Sequence, residues 1–401
     1  MRRRRSLFVG LALLVLLAAL GVTQQVLEKT AAAQAKAGAQ APRFEVDPMW
    51  PKPLPNHWVM GNVIGVGIDK QDHVYIIHRG AGSLEPKEIY AFANPPQSEC
   101  CLPAPPVLEF DQEGNLVRSW GGPKPGAPYE WPESNHGITP DSKGNVWIGG
   151  NGGNDGHILK FKTDGTFVKQ FGFAYANAGS NDNWAFNKVA KISLDEGANE
   201  AYVSDGYGNH RVVVIDMDTG KFKRYWGAYG NKPDDTNLGR YNPDAPVAQQ
   251  FRTPVHCAEL SNDNLVYVCD RVNDRIQVFT SEGKFIKEAW VSKRTLGDGS
   301  TWDIAFSNDP QQKFIYLADG KDEKVWILDR QSLEILTSFG DGGKMPGQFY
   351  AVHSIATDSK GNIYTTETYD GRRLQRFLYK GMQSVTKGED QGTVWPTKST
   401  K

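Results

Sequence analysis

One short pattern recurs six times along this chain. It runs as an inner strand, a tight turn, a second strand rich in aromatic and β-branched residues, a polar loop and two further strands ending in Trp-Gly or Phe-Gly. First strands open near Val63, Asn135, Val189, Val255, Thr301 and Val352. Second strands read Val74-Tyr75-Ile76-Ile77, Val146-Trp147-Ile148, Ala201-Tyr202-Val203, Val266-Tyr267-Val268, Ile315-Tyr316-Leu317 and Ile363-Tyr364-Thr365. Several preceding turns carry Gly-Asn or Asp-Asn, the hairpin chemistry expected between such strands. A small sheet of this kind cannot bury both faces alone, so the copies must stack on one another. No sustained 3.6-residue apolar period calls for a long helix. The pattern therefore predicts an all-β chain, a six-bladed β-propeller with four-stranded antiparallel blades. Its expected limits are residues 43–381, between a signal peptide and disordered Ala/Gln-rich spacer over 1–42 and a flexible tail over 382–401.

Three of the eight histidines, His136, His256 and His353, share one register, five residues before the first turn, in alternate copies. Ile64, Ala190 and Trp302 hold that place in the other three. In a closed ring of six, alternate copies are turned by about 120°, so the three imidazoles converge on the axis. Three neutral imidazoles with a fourth position open suit a catalytic zinc ion. The plain alternative is a wet channel lined by polar side chains.

Up-down-up-down strands place the start of strand one, the end of strand two and the links between blades on one rim. The long insertions 80–106, 172–187 and 228–252 all fall there, as expected of a binding surface. Arg79 and Arg271 lie just past second strands and emerge on the same rim. A guanidinium there suits a bidentate grip on a carboxylate, against the alternative of a structural Arg–Asp pair. Tyr207, in Asp205-Gly206-Tyr207-Gly208-Asn209, sits one place further along. Beside a cation its phenol can serve as a base; otherwise it packs over a blade edge. His57, His73, His157 and His210 are expected to be solvated, and His78 to support the site from behind.

Forty-five basic against 46 acidic residues leave a net charge of −1, so no basic field exists for nucleic acid or an anionic membrane. Met1 to Arg5 is basic and Leu7 to Val22 apolar, the pattern of a secretory signal, with small-x-small cleavage sites over Ala31 to Ala41. The folded part is expected to be exported, periplasmic or extracellular, with an uncleaved N-terminal anchor as the alternative. Cys257 and Cys269 flank the Asn262-Asp263-Asn264 turn and can face each other as a cross-strand disulfide. Cys100 and Cys101 are adjacent, and no cysteine has metal-finger spacing.

Across all six copies the chain resembles the NHL-repeat propellers, and within them the peptidyl-α-hydroxyglycine α-amidating lyases. The resemblance rests on Ile77-His78-Arg79-Gly80, His136-Gly137-Ile138, Val203-Ser204-Asp205-Gly206-Tyr207, Pro254-Val255-His256, Asp270-Arg271 with Arg275-Ile276-Gln277, and Val352-His353. It implies zinc on His136, His256 and His353, Tyr207 as catalytic base, and Arg79 and Arg271 serving a small-molecule or peptide substrate that bears a carboxylate. The implied reaction cleaves an N-acyl-α-hydroxyglycine-like carbinolamide to a primary amide and glyoxylate. The resemblance also implies a structural calcium, held by an aspartate after the third histidine and by carbonyls at Val66 and Ile138. Ser354 replaces that aspartate, which weakens the expectation of calcium. Two other readings remain: a non-catalytic NHL-repeat binding scaffold, and a gluconolactonase-type metal-dependent hydrolase, the latter disfavoured because such sites use acidic ligands.

Overall fold

The structure is a computed structural model that describes residues 38–176 and 179–396. Six antiparallel sheets follow one another around a ring, their first strands being Val63–Ile68, Asn135–Pro140, Val189–Asp195, Val255–Leu260, Asp303–Phe306 and Val352–Thr357. These are blades 1 to 6 of a six-bladed β-propeller. Short 3-10 turns are the only helical elements among the described residues.

Burial explains the residue pattern inside a blade. Second strands such as Glu200–Asp205 and Phe314–Asp319 are buried throughout, because a neighbouring blade covers each face. Fourth strands such as Leu116–Trp120 stay partly exposed and carry polar residues. Six apolar clusters fill the six gaps between blades. One of them joins blade 6 to blade 1 through Tyr364 and Leu374 packed with Val63, Ile76 and Phe110, which closes the ring.

Closure corrects the expected boundaries. Ala39–Val46 pairs antiparallel with Leu374–Val385 and becomes the fourth strand of blade 6. Residues 39–42, assigned to the spacer from their composition, belong to this strand. Phe44 anchors it, its ring 5.3 Å from that of Tyr316 and edge-on. The C-terminal segment is also built in. Leu374–Val385 runs past residue 381, Glu389–Asp390 pairs parallel with Ile335–Phe339 of blade 5, and the Val46 N–H donates to the Val394 carbonyl. The signal segment lies outside the described residues, among which no helix is long and apolar enough to cross a membrane.

Cys257 and Cys269 are direct register partners and form a disulfide with a Cα–Cα distance of 4.9 Å. It clamps the open end of the hairpin, where His256 and Arg271 both lie. Cys100 and Cys101 are bonded to each other in the exposed 80–106 insertion.

Candidate metal centre

Each site histidine sits where its blade's first two strands fall out of step. The ladder shifts between Asn135 and Ile138, between Val255 and Cys257, and between Val352 and Ser354. A bulge frees a residue from the ladder and re-aims its side chain, here toward the axis. The three histidines are 2–4 % exposed, and their ligand nitrogens lie within 4.8 Å of one another.

Backbone carbonyls fix the tautomers. His136 Nδ1 donates to Ala190 O at 2.6 Å, His353 Nδ1 to Ile64 O at 2.6 Å, and His256 Nδ1 to Trp302 O. A carbonyl only accepts, so each Nδ1 carries the proton and each Nε2 presents a lone pair to the axis. The accepting residues occupy the same register in the three blades without a histidine. Gly137 makes one approach possible, since a Cβ there would stand 2.6 Å from Ala190 O. Burial, before any neighbouring charge, holds all three rings well below the usual histidine range, and nearby arginines push the same way. Neutral imidazoles result, the form that binds metal.

The Tyr207 phenol completes the cluster. Its oxygen is 3.0 Å from Nε2 of both His136 and His256 and accepts from Arg271 Nη1 at 3.1 Å. One O–H can satisfy only one of three converging lone pairs. A cation satisfies them together, so the donor set fits zinc or a similar borderline ion. Gly206 lets this loop lie on blade 4, because a Cβ there would stand 2.1 Å from Val255 O, the residue before His256.

Arg271 is held from the other side by Asp298, whose carbonyl accepts from Nε at 2.9 Å, and its guanidinium lies 4.5 Å from the Trp302 ring centre. Its carboxylate contact with Asp298 is long, 3.8 Å, so no tight Arg–Asp pair consumes its charge. Arg79 donates to Asn151 Oδ1 at 2.9 Å and to Asn135 O at 3.4 Å, and burial lowers its pKa.

Of the other histidines, His57 is exposed as expected, and His157 departs most from expectation. His78 is buried; its Nδ1 accepts the N–H groups of Gly61 and Gly80 and its Nε2 donates to Pro105 O at 2.9 Å, which folds the 80–106 insertion onto blade 1. His157 is not solvated but 1 % exposed at the head of a strand, donating to Glu130 O at 2.7 Å. His73 meets Glu109 at 2.7 Å, and His210 meets Phe251 O at 2.7 Å.

Tyr369 escaped the sequence reading. Val352 pairs with Glu367 as Val189 pairs with Asp205, so Tyr369 in blade 6 matches Tyr207 in blade 3, directly across the ring. It holds a left-handed backbone, φ 48°, that a bulky residue rarely adopts. Burial raises its phenol pKa, with Asp298 adding to the rise and Arg271 and Arg79 opposing it, so it shares the electrostatic field of the site.

No family model matches the chain. It is 24 % identical over 322 residues to peptidyl-glycine alpha-amidating monooxygenase of Mus musculus, covering 77 % of this chain and 29 % of that protein, so it spans under a third of that relative. Identity is 25 % over 356 residues to NHL repeat-containing protein 3 of Mus musculus, covering 84 % of each. It is 22 % over 325 residues to a probable peptidyl-alpha-hydroxyglycine alpha-amidating lyase of Caenorhabditis elegans, covering 79 % and 82 %. Among solved structures, virginiamycin B lyase from Staphylococcus aureus aligns at 15 % identity with a TM-score of 0.45, covering 87 % and 94 %. The chain is a six-bladed β-propeller similar to NHL-repeat proteins and, among them, to the peptidyl-α-hydroxyglycine α-amidating lyases.

Proposed function

We propose that this is an exported zinc-dependent lyase that cleaves N-acyl-α-hydroxyglycine-like carbinolamides to a primary amide and glyoxylate. The observation that carries the reading is the convergence of three Nε2 lone pairs on the ring axis, two of them in reach of one phenol backed by an arginine. Zinc held by His136, His256 and His353 would supply Lewis acidity at a substrate oxygen. Tyr207, its oxygen accepting from Arg271, takes the proton of the α-hydroxyl group. As that O–H bond breaks, its electrons form the aldehyde carbonyl, the C–N bond opens and the amide nitrogen takes up the proton that Tyr207 removed. Arg79, and Arg271 through its remaining donors, hold the substrate carboxylate. The buried histidine layer excludes water from one side of the reacting carbon. Export agrees with the two disulfides, which persist in oxidising compartments.

The test is glyoxylate release from α-hydroxyhippurate by the zinc-loaded protein, lost on metal removal and regained with zinc. The 84 % mutual coverage with an NHL repeat-containing protein favours one other reading, a binding scaffold. Absence of turnover in zinc-loaded protein would favour that scaffold and overturn the lyase.

A further inference from the structure

Just inside the histidine layer the shaft holds a charge of its own. Lys191 follows Ala190 in blade 3, Asp303 follows Trp302 in blade 5, and Ser354 follows His353 in blade 6, all at one register. Lys191 Nζ lies 2.7 and 2.8 Å from the two Asp303 oxygens and 3.0 Å from Glu259 of blade 4. Asp303 Oδ2 also accepts the Ser354 hydroxyl at 2.6 Å and the Ile355 N–H at 3.0 Å. The Lys191 side chain is 13 % exposed and that of Asp303 is 2 % exposed. Burial alone would drive the ammonium toward neutrality, but Asp303 and Glu259 more than reverse that and keep it charged. Four blades are thus tied to one positive centre.

Two carboxylates and a hydroxyl around a cation are the oxygen set of a hard divalent ion such as calcium. The residues implied to hold calcium do not fit one here. Ser354 stands for the carboxylate and its proton is committed to Asp303. Val66 and Ile138 line the same cavity of about 310 Å³ as Lys191 and Glu259. We propose that the Lys191 ammonium is the resident cation of the shaft, holding the place of a divalent ion, so that the protein needs metal only at its three histidines. This inference is independent of the reaction catalysed.

The test uses the full zinc-loaded chain, with elemental analysis and thermal unfolding in calcium-free buffer and in millimolar calcium. Wild type is expected to retain no stoichiometric calcium and to melt at the same temperature in both. Lys191→Met leaves two facing carboxylates without a cation and is expected to melt about 5–10 °C lower, with calcium recovering most of the loss. One calcium per wild-type chain, or a wild-type melting temperature raised by calcium, overturns the proposal. A folded Lys191→Met protein indifferent to calcium also overturns it. Should that variant not fold, the wild-type calcium content and melting decide alone.

Discussion

The Nδ1 of His136 donates to the carbonyl of Ala190, and Ala190 stands in blade 3 where His136 stands in blade 2. The same relation links His256 to Trp302 and His353 to Ile64. Alternation therefore does two jobs. Blades with a histidine supply the ring, and blades without one supply the carbonyl that fixes its tautomer and orientation.

Tyr207 is within hydrogen-bond reach of two imidazoles and of Arg271, so its proton is central to the proposed chemistry. Tyr207→Phe is expected to lower kcat by about 10²–10⁴-fold while zinc content stays at the wild-type level. Steady-state glyoxylate release with parallel metal analysis checks this. A variant with full activity would show that another group takes the proton.

Tyr369 lies in the blade opposite Tyr207, at the matching register and within the electrostatic reach of Arg79 and Arg271. Tyr369→Ala is expected to raise KM by about 5–10-fold, the worth of one hydrogen bond or ring contact, with kcat within about twofold. An unchanged KM removes Tyr369 from the substrate wall.

The disulfide between Cys257 and Cys269 clamps the hairpin carrying His256 and Arg271. Replacing both cysteines by alanine is expected to cost about 2–4 kcal/mol of stability, read by denaturant unfolding. Equal midpoints for the two proteins would mean that the blade stack alone holds the hairpin.

His78 sets a pH dependence. Burial lowers its pKa to about 4, against about 6.5 in the unfolded chain. Between those values the unfolded chain binds a proton that the native protein refuses. The stability is therefore complete above pH 6.5 and is lost as pH falls toward 4, by about 3 kcal/mol. The three site histidines act in the same direction. His78→Gln is expected to flatten the fall in stability over this range; an identical slope in both proteins contradicts the assignment.

The ring and the histidine register were legible because each blade repeats its turn and aromatic strand, and a shared register in alternate copies has one spatial meaning. The closing strand was not. Ala39-Gln40-Ala41-Pro42 reads as a spacer, and Gln40 meets Ser384, 344 residues away, only after the ring has closed. Lys191 and Asp303 pair across 112 residues for the same reason. Tyr369 was readable in register but hidden, since Glu367-Thr368 replaces the Asp205-Gly206 that marks its counterpart. His157 follows Asp155-Gly156, which reads as a turn, yet it already begins a buried strand.

The most direct measurement is the zinc content of wild type and of His256→Ala after equilibration with zinc and removal of the excess. One zinc per wild-type chain is expected, with the variant folded and its affinity reduced by at least about 100-fold. Wild-type protein without zinc, or equal zinc in both proteins, would contradict a three-histidine metal centre.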